Sequence, residues 1–240
     1  MSLVRVRIVR ACFAVLVLLF AGAIGWAMLS LPTEWQGLRA HVSDRLDESG
    51  VRNPVTAVLL NFRGYDTLLE IGVLLLAALA VRSLATDRDQ ARGSPTEPPG
   101  TVLTGLLRLV APLIVLVAGY LLWVGGHQPG GAFQAGAVLA SLGVLVLLCE
   151  PRLLSRLPDW VERAVLSVGL FVFITAGIAV MTVDRVMLQY PTAHAKWLIL
   201  VIEAASALSI AAVLCALFAG GRIGGFIDEA ASQRHKERQP

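Results

Sequence analysis

LVAPLIVLVAGYLLWVGGHQPGGAFQAGAVLASLGVLVLLC, residues 109 to 149, runs for 41 positions without an aspartate, glutamate, lysine or arginine. Crossing a hydrocarbon core takes about 20 predominantly apolar residues as a helix, so this one stretch is long enough to cross twice. Where it turns is legible as well. Gly125-Gly126-His127-Gln128-Pro129-Gly130-Gly131 is the strongest turn chemistry in the chain, because glycine reaches backbone conformations other residues avoid and proline fixes one side of a turn. The stretch therefore reads as two membrane helices joined by a hairpin.

Working outward, Ala11 to Thr33 gives 23 further uncharged residues, Ala164 to Val183 gives 20, and Trp197 to Gly221 is interrupted only by Glu203. A sixth apolar run, Ile71 to Val81, is shorter. The expected fold class is an all-α integral membrane protein of about six transmembrane helices. Composition agrees: 56% of the 240 residues are hydrophobic and 15% charged, and the mean hydropathy is +0.72, outside the range of a soluble domain. A net charge of +3 with dispersed basic residues gives no footprint for nucleic acid. Cys12, Cys149 and Cys215 stand singly in or at the end of apolar runs and read as packing residues, with no metal-ligand spacing. No cofactor motif is evident, and no paired nucleophile and base points to an enzyme.

Arg5, Arg7 and Arg10 before an apolar run resemble a secretory signal, but the run exceeds the usual 7 to 15 residues of such a core, so a retained first helix is expected. With six helices and an inside N-terminus, 14 of the 20 lysines and arginines fall on the inner side and 6 on the outer. That asymmetry supports both termini in the cytoplasm, with the chain expected in the cell's inner (plasma) membrane. Trp35, Trp123, Trp160, Trp197 and Tyr190 fall near span ends, where amphipathic rings favour the interface; Trp26 does not. Polar, Pro/Gly-rich residues 85–100 separate a two-helix front part, 1–84, from a four-helix back part, 101–227, and the charged tail 228–240 has nothing to bury.

The short sixth run is informative. Eleven uncharged residues between Glu70 and Arg82 rise only about 17 Å as a helix against a core of about 30 Å. To span, the helix must start near Phe62 and carry Glu70, with Asp66, into the membrane. On that helix Arg63, Asp66 and Glu70 share one face. Ionisable groups inside a bilayer usually face protein or water-filled cavities and are functional candidates. The alternative is an interfacial Arg63–Asp66 ion pair with Glu70 reaching for water. Just upstream, Asn53-Pro54 reads as a helix start, with Asn as cap and Pro at the first helical position. The helix it begins is too short to span and lies in the interface or re-enters.

In the last span Glu203 lies about 9 Å beyond Trp197, with Lys196 on its face seven residues earlier. Two readings are open: a water-bridged pair with Lys196, or a proton-exchanging site. For the 125–131 turn they are a plain hairpin with His127 at its surface, or irregular backbone lining a cavity. Pro129, Gly130 and Gly131 form the turn; after it Ala132, Gly136 and Ala140 recur every fourth residue, followed by Gly143, a spacing for close helix packing. In an alternating topology the start of the second span, this turn and the start of the sixth share one membrane side, so Asp66, Glu70, His127 and Glu203 are able to meet.

These motifs resemble a known family. Gly126-His127-Gln128-Pro129-Gly130-Gly131-Ala132-Phe133, continuing into Gln134-Ala135-Gly136, resembles the turn of the MnhB-type subunit of multisubunit Mrp-type sodium/proton antiporters, with Ala132 where a third glycine is usual. Asn61-Phe62-Arg63-Gly64-Tyr65-Asp66-Thr67-Leu68-Leu69-Glu70 resembles the C-terminal membrane segment of the large subunit of the same antiporters, or its stand-alone equivalent in membrane-bound hydrogenases, with Asn61 where Asp is common. The resemblance implies an accessory membrane subunit that works with other membrane subunits on Na+ or H+, with Asp66 and Glu70 in a cation or proton path. A purely structural scaffold and a subunit of a hydrogenase-type redox complex are the rival readings.

Overall fold

The computed structural model describes residues 3–31, 37–84, 101–150, 157–184, 187–188 and 190–221. The expectations for residues 85–100 and 228–240, and the placement of Trp35, lie outside them. Among the described residues the secondary structure is helical throughout, without a strand.

The chain divides into two units, Met1–Ala40 and His41–Pro240. The first contains α1, Leu3–Leu29. The short α2, Arg39–Asp44, leads into the second unit, which continues with a 3-10 turn at Leu46–Ser49 and then α3, Pro54–Ala57. A π-helical turn at Val58–Phe62 precedes α4, Gly64–Leu84. Four long helices follow: α5, Thr101–Val124; α6, Ala132–Cys149; α7, Asp159–Asp184; and α8, Thr192–Phe218. Six helices, α1 and α4 to α8, are long and apolar enough to cross a membrane. The protein is a multi-pass, all-α membrane protein.

Within the second unit α8 is the axis, packed against α6 and α7 on two sides and touching α4 and α5. It is apolar all round, as a central helix must be, and half of its span is buried against 28% or less for the other helices. Small residues let its neighbours approach. A Cβ on Gly136 would lie 2.9 Å from the Ile210 side chain and 3.1 Å from the Ala207 carbonyl. Gly143 lies against the Cys215 thiol, which donates to the Ala140 carbonyl at 3.5 Å, and Gly169 of α7 admits Ser206 and Ser209. The small-residue face of α6 therefore meets α8 of its own chain, the close helix packing its spacing predicts.

Ion pairs hold one end of the bundle: Arg82 at the end of α4 with the buried Glu162 of α7, at 3.2 Å, and Arg108 with Glu150, at 3.7 Å. At the opposite end Val51, Phe173, Leu188 and Tyr190 join one apolar cluster. Tyr190 is 2% exposed and its hydroxyl has no hydrogen-bond partner among the described residues. It stands just before α8, near a span end as expected, with its ring inside the protein. Burial raises the pKa of its phenol well above the usual value for tyrosine. Cys149 and Cys215 are buried, as expected of packing residues, whereas Cys12 is exposed.

Candidate functional site

The site begins with the turn between α5 and α6, where Gly125 and Gly130 are required by distance. A Cβ on Gly130 would lie 2.4 Å from the Leu121 carbonyl, and one on Gly125 would lie 3.0 Å from the Gly131 nitrogen. Gly131 has φ 115 and ψ −170, a conformation essentially confined to glycine. Its amide donates to the Leu121 carbonyl at 3.0 Å. Folding back this tightly leaves carbonyls of the turn without helical partners, and buried carbonyls need donors.

The segment before α4 supplies them. Asn53 caps α3 by accepting from the Val55 amide, and its side-chain amide donates to the carbonyls of Gly125 and Gln128, both at 2.8 Å. Thr56 donates its hydroxyl to the same Gly125 carbonyl at 2.6 Å. The amides of Arg52 and Asn53 both donate to Gly126. Read from the sequence as a helix start, Asn53 is in fact the joint between the front of this unit and the hairpin 72 residues later.

Between this joint and α8 lies a cavity of about 150 Å³. Its walls are the π-helical turn, α4 at Thr67 and Ile71, the start of α6, and Glu203 with Ser206 on α8. The π turn widens the backbone ring, and its freed Leu59 carbonyl accepts from the Thr67 hydroxyl at 2.6 Å. Glu203 is 5% exposed. Its carboxylate lies against Gly125 and Gly131, and a Cβ on Gly131 would come within 2.8 Å of Oε1. Glu203 joins no hydrogen bond or ion pair among the described residues, and the Ser206 hydroxyl one turn on is buried with no partner. Two polar groups thus face one cavity, neither of them with a partner among the described residues.

The other candidates lie elsewhere. The helix starts at Gly64, near Phe62 as expected, and Arg63 stands just before it with φ −127 and ψ 33, so of the expected face only Asp66 and Glu70 lie on the helix itself. The Arg63 guanidinium does pair with the Asp66 carboxylate, and both side chains are exposed. Glu70 is also exposed and joins no ion pair among the described residues. Thr67 and Ile71, not Asp66 and Glu70, are the α4 residues that face the cavity. His127 lines an open surface pocket of about 270 Å³ with Arg52 and Lys196. Lys196 is not paired with Glu203: its ammonium lies 5.5 Å from the centre of the Trp123 ring, a cation–π contact. Among the described residues no three His, Cys, Asp or Glu gather closely enough to hold a metal ion, so the four candidates do not converge within this chain. Pro129 is exposed on the turn, and Ala132 begins α6 at the cavity wall.

The sequence marks Glu203 and sets Ser206 beside it only as a serine without a histidine base; it does not mark Thr56.

Several known proteins are similar to this chain in sequence or fold. Residues 5–98 match the MbhE family model, which describes a subunit of MBH. The chain is 28% identical over 183 residues to the probable K(+)/H(+) antiporter A/B subunit of Rhizobium meliloti (strain 1021), an alignment covering 62% of this chain and 17% of that protein. Its fold is similar to a chain in the structure of the Mrp complex from Dietzia sp. DQ12-45-1b, with a TM-score of 0.63 and 25% identity, over 95% of this chain and 27% of that one. It also matches a chain of the membrane-bound sulfane sulfur reductase, an archaeal respiratory membrane complex, with a TM-score of 0.61 and 20% identity, over 94% of this chain and 98% of the other. The chain therefore spans under a third of its antiporter relatives and nearly all of the reductase chain. Residues 102–223, half of the protein and the part that contains both the hairpin and Glu203, match the model for the domain related to the MnhB subunit of Na+/H+ antiporters; the chain belongs to that family.

Proposed function

We propose that this protein is an accessory membrane subunit of a multisubunit monovalent cation/proton antiporter, contributing carboxylates to the ion path rather than catalysing a chemical reaction. The observation that carries the reading is Glu203, buried in a spanning helix, without an ion pair among the described residues, and facing a cavity bordered by the turn of the MnhB-related domain. A carboxyl group in that position is costly for folding, and such groups are typically functional. Asp66 and Glu70, exposed on this chain, would meet the path at a contact with another membrane subunit, as would His127 on the turn. The resemblance to subunits of larger assemblies supports such partners. The excess of lysine and arginine on one side supports both termini in the cytoplasm.

The test is cation-dependent proton flux in vesicles carrying the assembled complex. Glu203→Gln keeps shape and hydrogen bonding but removes the charge, and is expected to abolish exchange at normal complex abundance. Wild-type flux would move Glu203 out of the path and favour a scaffold. A second reading, the same module in a respiratory redox complex, is favoured by the match of residues 5–98 to the MbhE model. Copurification with redox subunits in mild detergent would select it.

A further inference from the structure

The cavity before Glu203 has an unbalanced hydrogen-bonding inventory. Thr56 and Thr67 line it, and each donates its one hydroxyl proton to a backbone carbonyl, Gly125 and Leu59 respectively. Toward anything inside the cavity they can only accept. The Gly131 amide is already engaged with Leu121. An ionised Glu203 only accepts, and no lysine, arginine or histidine lies in the wall. Among the lining side chains, donor capacity remains only on the free Ser206 hydroxyl and on the exposed Gln134 at the rim. The start of α6, beside the carboxylate, contributes the partial charge of a helix N-terminus, about half an elementary charge. With the first-turn amides of Ala132, Phe133 and Gln134 in the same wall, that end compensates an ionised Glu203 only in part and supplies no full positive charge.

What such a space accepts is a cation. An anion would meet the carboxylate, and a neutral apolar molecule would leave Glu203 and Ser206 unsatisfied. The volume of about 150 Å³ exceeds the roughly 30 Å³ share of one water, so a small ion can keep part of its hydration while taking oxygen ligands from the wall. Hard cations take such oxygen donors.

We propose that this cavity is a binding site for one small monovalent inorganic cation, held by the Glu203 carboxylate, the Ser206 hydroxyl and the acceptor-only hydroxyls of Thr56 and Thr67, with water completing its shell. The inference deepens the antiporter reading and rests on it for the cation being monovalent. It names a ligand set and separates a metal-cation site from a carboxyl group that only exchanges protons.

The test uses the intact complex in native membranes and a hydrophobic carbodiimide, which modifies protonated carboxyl groups buried in the membrane. The adduct on the Glu203 peptide is quantified by mass spectrometry. At constant pH and ionic strength, Na+ or K+ replacing choline is expected to suppress labelling saturably. Ser206→Ala, which removes one oxygen with little change of volume, is expected to raise the half-protecting concentration about tenfold or more, the effect of losing one partner of a charged group. Ser209→Ala, whose hydroxyl bonds the Leu166 carbonyl outside the cavity, is expected to leave it unchanged. Labelling that follows pH but ignores the metal cation overturns the proposal in favour of a proton site, and absence of labelling in choline overturns it as well. The two readings separate cleanly. Cation protection with normal flux in Glu203→Gln keeps the binding site and removes it from the path, whereas loss of flux without protection keeps the path and removes the metal ion.

Discussion

Gly131→Ala tests the placement of Glu203 against the turn, because it imposes two costs that a second substitution can separate. The first is conformational. At φ 115 and ψ −170 an alanine sits in backbone space essentially reserved for glycine, a strain of about 1–3 kcal/mol. The second is contact. The new methyl carbon would lie 2.8 Å from the Glu203 Oε1, several tenths of an ångström inside ordinary carbon–oxygen contact, so the carboxylate must move within a buried cavity. A side-chain end can rotate, and about 1 kcal/mol is a fair magnitude for that displacement. Reversible unfolding of the purified chain in mixed micelles, titrated with sodium dodecyl sulfate, measures the sum. In a Glu203→Ala background only the backbone strain remains, so Gly131→Ala should cost about 1 kcal/mol less there than in the wild type. Additive costs in the double variant would refute the contact between the carboxylate and the turn, and with it the cavity as drawn.

Gly136→Leu is expected to disrupt the α6–α8 contact inside the chain, since even a methyl carbon would lie 2.9 Å from Ile210; overpacking costs of about 1–3 kcal/mol or more are typical, and a normal yield of folded chain would show the face free. Glu70→Gln should abolish cation-dependent proton flux with complex abundance unchanged, and Glu70→Asp should retain part of it because the charge survives with about one methylene less reach; full flux in the Gln variant would take Glu70 out of the mechanism. Tyr190→Phe should be neutral or stabilising, because it removes a buried hydroxyl with no partner among the described residues. The same variant tests alkaline stability. With the folded-state pKa of Tyr190 raised, the unfolded chain ionises first, so wild-type stability is complete below pH about 10 and falls as pH rises above it. The Phe variant should lose that part of the fall, and an unchanged alkaline profile would count against the burial of the ring.

The helices were legible in the sequence because a membrane imposes a length rule on each segment independently. An uncharged run of 41 residues with a glycine-rich middle has few ways to be arranged, and the spans follow without knowledge of any neighbour. The deficit of the run between Glu70 and Arg82 likewise forced acids toward the membrane interior from arithmetic alone. Glu203 was legible for the same reason, as the one charge in an otherwise apolar span.

What the sequence could not contain was which residues lie opposite one another. Asn53 carries its capping role locally, in the proline that follows it, but its bonds to Gly125 and Gln128 exist only once the hairpin and the α3 segment share one end of the bundle. The π turn at Val58–Phe62 has no local signature, and it moved Arg63 out of the helix that spacing had assigned to it. The small face of α6 announced close packing, yet whether its partner was α8 or another subunit depended on the packing of the whole bundle. Above all, sharing a membrane side was not enough to bring Asp66, Glu70, His127 and Glu203 together. Helix rotation decides that, and each residue step turns a side chain by about 100°. The packing that sets the rotation of α4 and α8 aimed Thr67 and Glu203 into one cavity and left Asp66 and Glu70 facing out of the chain.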